Sequence, residues 1–158
     1  MVLVDDFFAP WTSIHLNSDS SCHIVPRTNE SLFDELKLVL QAAAIEPLKV
    51  GGVYVQTLGP RFETKAEIRM LQAYGDVVGM TAANEIILFS ELEIPVALIC
   101  MVDNYAHGVK DPPLSLEEFH KGVQKNLTKV ASVQLRRAQH SFDRLLRWNP
   151  CMVLWPEN

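Results

Sequence analysis

Three side chains between Gly51 and Gly108 could act together on a flat nitrogen heterocycle: the carboxylate of Glu63, the hydroxyl of Thr81 and the amide of Asn104. An amide accepts a hydrogen bond from an N–H and donates one to a carbonyl at the same time. A 6-oxopurine offers that pair on its N7/O6 edge once N7 is protonated. When a glycosidic bond to such a base breaks, negative charge builds on the ring. An amide placed at that edge then binds the transition state more tightly than the ground state. Glu63 could accept from N1–H of the same ring. Each residue also has a plainer reading. Asn104 could be a turn asparagine satisfying its own backbone, Glu63 an acid favoured ahead of a helix N-terminus, and Thr81 a strand-end hydroxyl. Met80 could lie against a sugar face or simply fill core. Glu85 could accept from ribose hydroxyls or be a first-turn helix glutamate.

The elements that must position these groups follow from periodicity. Val2-Leu3-Val4 reads as the end of a strand, followed by a polar loop from Asp5 to about His23. From Thr28, Leu32, Phe33, Leu36, Leu40 and Ala43 recur at helical spacing until Pro47. Val50 to Thr57 alternates like a strand and Gly59-Pro60 breaks it. Thr64 and Glu67 form a capping box that opens a helix running to about Tyr74. A strand over Asp76–Met80, a helix over Ala83–Leu92 and a buried strand over Pro95–Val102 follow. Asn104 to Pro113 reads as a loop. A second capping box at Ser115-Leu116-Glu117-Glu118 starts a long helix whose apolar period continues to Trp148, about 50 Å if unbroken. Strands alternating with helices predict an α/β domain over residues 1–148 with a largely parallel sheet. The proline-bearing tail, residues 149–158, is predicted to be irregular. Glu63, Thr81 and Asn104 then fall just after strands, on the carboxyl rim where such sheets bind ligands.

Composition narrows the function classes. The chain has 158 residues and a formal net charge of −5, which disfavours nucleic acid as a partner. No apolar run approaches the ~20 residues that span a bilayer. Cys22, Cys100 and Cys151 are isolated, which fits a reducing cytoplasm better than a disulfide framework and offers no closed metal site. No Ser–His–Asp or Cys–His arrangement and no phosphate-cradling glycine motif is present. His15, His23, His107, His120 and His140 are scattered.

The segment GGVYVQTLGPRFETKAEIRML, followed in register by DVVGMTAANEIILFSELEIPVALICMVDNYAHG, resembles the base-binding part of the trimeric purine nucleoside phosphorylases and methylthioadenosine phosphorylases. VDDFFAPW and SCHIVP extend the likeness upstream, so that it covers about Val2 to Gly108. The resemblance implies a phosphorylase-like α/β fold with a mixed, largely parallel sheet flanked by helices, incomplete because the family's first half has no counterpart. It implies that Phe62 packs on the base and Glu63 hydrogen-bonds it. Asn104 would bind N7 and O6 as the catalytic amide, Met80 would lie against the ribose, and Thr81 would touch phosphate or sugar. Glu85 fits the ribose hydroxyls on its own chemistry. His23 would reach a neighbouring subunit's sugar site, which requires a homotrimer. No cofactor or metal is implied; phosphate is the co-substrate and the partner is a purine nucleoside. The Asn-Tyr-Ala arrangement with Glu63 favours inosine, guanosine or methylthioinosine over methylthioadenosine.

The chain also departs from the family. Asp103 stands where threonine is usual and Asn84 where proline is usual. The family's glycine-rich phosphate loop belongs to the half without a counterpart. Two functions therefore stand open: a phosphorolytic pentosyltransferase that needs an N-terminal half, or a non-catalytic truncated relative that keeps the fold, with weak nucleoside binding or an oligomerisation role. On either, the chain alone is expected to release no hypoxanthine from inosine and phosphate.

Overall fold

A computed structural model of the chain describes residues 1–16, 23–47, 49–111, 114–139 and 146–153, with side chains to residue 127. The elements in chain order are β1 (Val2–Val4), β2 (Asp6–Phe8), α1 (Glu30–Ala42), β3 (Lys49–Val50), β4 (Val53–Gln56) and α2 (Lys65–Leu71). They continue as β5 (Val77–Gly79), α3 (Ala82–Glu91), β6 (Ala97–Tyr105), α4 (Leu116–Gln139) and β7 (Leu146–Val153).

Helix starts follow their caps. Asn29 accepts from Leu32 N–H and begins α1 two residues later than the apolar period suggests. The Thr28 hydroxyl instead donates to Asp5 O at 2.7 Å. The box at Thr64 and Glu67 forms as read, with both reciprocal bonds made. The expected strand over Val50–Thr57 divides into β3 and β4 at Gly51, whose φ of +76° suits glycine.

The sheet order is β2-β4-β5-β7-β6-β1-β3. β1–β3, β2–β4, β4–β5 and β6–β7 are parallel, and β1–β6 and β5–β7 antiparallel. The sheet is thus mixed and largely parallel. Only Asp5 separates β1 from β2, and its N–H donates to Gly52 O at 3.1 Å. The β1–β3 and β2–β4 pairings are therefore one ribbon, and because β6 lies on the other side of β1 the circuit of pairing closes on itself.

β7 corrects the sequence reading twice. The period to Trp148 predicted helix, and residues 149–158 were expected to be irregular, outside a domain ending at 148. The helix is described to Gln139, and Leu146 to Val153 pair with both β5 and β6 across that boundary. Pro150 lacks an N–H, which argues against a central strand. Eight residues of register with β6, broken once, and two with β5 outweigh that single lost donor. The part of the tail from 154 to 158 lies outside the described residues.

The two sheet faces bury different partners. Val2, Val4, Tyr54, Val77, Leu98 and Cys100 pack with Ala82, Ala83 and Ile86 of α3. Leu3, Ala97, Ile99 and Met101 pack with Leu32, Leu36, Val39 and Leu40 of α1. Successive strand residues go to opposite faces, as the two-residue pleat period requires. Each fully buried aliphatic side chain adds about 1.5–3 kcal/mol. Among the described residues no helix is long and apolar enough to cross a membrane.

Candidate active site

The loop after β4 is tied to the end of β5. Thr57 N–H donates to Gly79 O at 2.9 Å, and the Thr57 hydroxyl donates to Glu63 Oε1 at 2.6 Å. Glu63 is 6% exposed. Its other oxygen, Oε2, is buried without a hydrogen-bond partner among the described residues. Met80 packs on the same loop: a Cβ on Gly59, whose φ is +62°, would approach Met80 Sδ to 2.7 Å. Glycine there lets the two motifs touch.

The third motif arrives through one apolar cluster. Ala106 is buried with Val55, Ile68, Leu71 and Val78, and Phe62 packs against them. The Phe62 ring also tilts against Phe119 of α4, centroids 5.6 Å apart. The loop after β4 therefore touches each of the other two motifs, Met80 at Gly59 and Ala106 through Phe62.

Their route differs from the carboxyl-rim argument. Asn104 lies inside β6, not after it, and β6 runs opposite to β5 because β7 between them is antiparallel to one and parallel to the other. What levels them is register: Val78 pairs with Met152, and Met152 with Asn104. A bulge between Val102 and Asn104 leaves Asp103 unpaired. Val102 and Tyr105, three residues apart, consequently pack against the same cluster. The extra residue turns Asn104 away from the face it would otherwise share with Val102, a common use of bulges beside sites.

Asn104 is half-buried. Its Nδ2 donates to Tyr105 O at 2.7 Å, and its Oδ1 is buried without a partner among the described residues. Asp103 accepts from Asn126 Nδ2 of α4 at 2.9 Å, and the same nitrogen donates to Val102 O at 2.8 Å. Burial pushes the Asp103 carboxyl above its ordinary range, with the Asn126 bond opposing.

The remaining candidates spread out. Thr81 is exposed at the N-cap of α3 and makes no capping bond with its side chain. Glu85 is half-buried in the first turn of α3. His23 is exposed. A cavity of about 380 Å³ beside the loop is lined by Thr57, Glu63, Arg61, Trp11, Leu58 and Met70, among others, so Glu63 is the one candidate on its wall. At its margin Arg61 grips Glu67 through both nitrogens, at 2.8 and 2.9 Å. The Arg61 hydrogen bond, with that from Thr64 N–H, holds the Glu67 carboxyl down at about 2.

Sequence reasoning missed the groups that hold α3 in place. The Tyr54 hydroxyl accepts from Thr81 N–H (3.1 Å) and Ala82 N–H (3.2 Å). Gln56 Oε1 accepts from Ala83 N–H (2.7 Å) and Asn84 N–H (3.2 Å). Gln56 Nε2 donates to Asn84 Oδ1 at 2.6 Å and Thr12 Oγ1 at 3.1 Å. The signal was available: Tyr54 and Gln56 are two apart on a strand, hence on one face, and both carry polar tips.

Comparison with known proteins places the chain in a family. The Phosphorylase superfamily profile matches residues 8–139. A protein of Archaeoglobus fulgidus described as a probable 6-oxopurine nucleoside phosphorylase is 36% identical over 126 residues, 80% of this chain and 52% of that one. A probable S-methyl-5'-thioinosine phosphorylase of Methanopyrus kandleri is 44% identical over 95 residues, 58% of this chain and 37% of its own. Among solved structures, methylthioadenosine phosphorylase from Schistosoma mansoni in complex with adenine superposes with a TM-score of 0.70 at 18% identity, over 90% of this chain and 60% of that one. The chain thus spans about half the length, or less, of these curated relatives. With four-fifths of its residues inside the matched span and the same mixed sheet, the chain belongs to the phosphorylase superfamily.

Proposed function

We propose that this chain carries the base-recognising part of a purine nucleoside phosphorylase acting on 6-oxopurine nucleosides. One observation supports this most: two acceptors, Glu63 Oε2 and Asn104 Oδ1, are buried without partners among the described residues, on loops that meet. A buried acceptor left unsatisfied costs about 1–3 kcal/mol, so ligand donors are their natural complement. Hypoxanthine supplies N1–H to a carboxylate and N7–H to an amide oxygen. The second Asn104 Nδ2 hydrogen remains for O6. The 6-oxopurine and methylthioinosine activities named for the relatives at 36% and 44% identity support the same base class.

In phosphorolysis a phosphate oxygen bonds to C1′ while the C1′–N9 bond breaks and its electron pair passes to the purine. As that charge develops N7 takes a proton from water, which is replaced by the proton that the attacking hydrogen phosphate gives up, and Asn104 Oδ1 accepts from the resulting N7–H. Met80 and Glu85 are the groups for the sugar and Thr81 for the sugar or phosphate, with phosphate the only co-substrate. His23, exposed on the surface, reaches a neighbour's sugar site in a homotrimer. Size-exclusion chromatography with light scattering tests that trimer.

Binding without phosphorolysis is the second reading. The Asp103 carboxylate beside Asn104 favours it through like-charge repulsion of a phosphate. Calorimetry of hypoxanthine binding, with phosphorolysis of inosine and methylthioinosine, tests both readings. Asn104→Ala should weaken base binding by about 1–3 kcal/mol. Unchanged affinity would remove Asn104 from the site.

A further inference from the structure

We propose that Asn126 of α4 is a positioning residue for the base site: by strapping the bulge at Asp103 it sets the direction in which the Asn104 amide points. The proposal rests on the base-binding reading above and adds to it a residue from a different element. Inside a strand, ladder hydrogen bonds fix how each peptide is turned. Asp103 has no partner in the ladder between β6 and β7, so the peptides on either side of it need another restraint. α4 supplies one on each side. Asn126 Nδ2 donates to Val102 O at 2.8 Å and to Asp103 Oδ1 at 2.9 Å, which uses both hydrogens of an amide nitrogen. Gly122, one turn earlier on the same helix face, lies so close to the Asp103 carbonyl that a Cβ would overlap it. That carbonyl belongs to the peptide leading into Asn104. α4 thus meets the peptide before Asp103, its side chain and the peptide after it.

Two observations tie this strap to the base site and not to helix packing alone. Asn126 is 8% exposed, and burial disfavours the charged form of its acceptor, Asp103. An apolar pair would hold a helix on a strand as well or better; what the polar pair adds is direction. Asn104, next in the chain, holds its amide through the neighbouring Tyr105 O at 2.7 Å, and its Oδ1 is buried without a partner among the described residues. A side chain anchored to its own neighbour turns with the local backbone. Whatever turns the bulge therefore turns the acceptor offered to N7–H.

The test compares two hypoxanthine analogues by calorimetry on the full chain. 9-Deazahypoxanthine carries its ring N–H fixed at position 7; 7-deazahypoxanthine has C–H there and keeps N1–H and O6. The parent should prefer the first about tenfold or more, because the second leaves the Asn104 oxygen unsatisfied. Asn126→Leu, close to Asn in volume but without a donor, should compress that preference to about threefold or less. Partial unfolding weakens both ligands by the same factor, so a merely structural role leaves the ratio unmoved. A parent-like ratio in Asn126→Leu would overturn the proposal and leave the base-binding reading standing. A parent that binds neither analogue, or both alike, would overturn that reading and the proposal with it. Should Asn126→Leu fail to fold, Asn126→Ser, which keeps one donor, decides: a reduced preference supports the strap and a parent-like one overturns it.

Discussion

Gly122 separates two physical expectations of opposite sign. It lies inside α4, where glycine is about 1 kcal/mol worse than alanine, so on propensity alone Gly122→Ala stabilises the chain. The packing argues the reverse. A Cβ at Gly122 would come within 2.6 Å of the Asp103 carbonyl carbon and 3.0 Å of its Cα, and would overlap the carbonyl oxygen. These are backbone atoms of the bulge in β6 and cannot swing aside, so α4 must retreat. Overpacking of this kind costs about 1–3 kcal/mol. Retreat also stretches the Asn126 bonds to Val102 O and to the Asp103 carboxylate, worth about 0.5–1.5 and 1.5–3 kcal/mol. Set against the propensity gain, the net loss is about 2 kcal/mol or more. For a chain of this size that lowers Tm by about 4–8 °C. The same displacement moves Asp103 and hence Asn104, so hypoxanthine affinity should fall as well. Urea or thermal unfolding of Gly122→Ala measures the first effect and calorimetry the second. A variant as stable as the parent, or more so, would refute the close seating of α4 on the bulge.

Two further substitutions test the groups around the site. Asp103 binds its proton more tightly folded than unfolded, because burial raises its pKa. Its ionisation therefore opposes folding as pH rises through that raised value, and has no effect below the unfolded value of ~3.9. Asp103→Asn, which can still accept from Asn126, should raise the urea midpoint at pH 7 and leave it unchanged near pH 3; an equal gain at both would deny the buried carboxylate. Tyr54→Phe removes the acceptor shared by Thr81 N–H and Ala82 N–H with little change of shape. It should cost about 2–4 kcal/mol for two stranded donors, read by unfolding, and a loss under ~0.5 kcal/mol would show those bonds to be unimportant.

Local chemistry was the legible part of the sequence. The Thr64–Glu67 box, the α1 period and the β1, β4, β5 and β6 strands follow from caps and alternation within a few residues of one another. Long-range pairing was not. β2 is only Asp6 to Phe8 and owes its strand to Val53–Val55 across the ribbon. β7 carries Leu146 and Trp148 at positions that also continue the helical period of α4, so pattern alone could not separate the two states. Asn104 was singled out for its amide, but its orientation depends on the bulge at Asp103, which no spacing in the sequence announces.

The N-terminus of α3 carries the argument about phosphate furthest. Such a terminus presents free amides that commonly hold an anion. Here Thr81 and Ala82 N–H go to the Tyr54 hydroxyl, Ala83 and Asn84 N–H to Gln56 Oε1, and Glu85 N–H to Thr81 O. A phosphate taking these amides would have to displace two side chains that are 0% and 3% exposed and tie β4 to α3. Asn84 strengthens the lock by accepting from Gln56 Nε2 at 2.6 Å, a bond that a proline there could not make with its side chain. The backbone at this position is thus committed to holding the fold. On the reading proposed above, a phosphate arriving beside α3 would find these amides already taken.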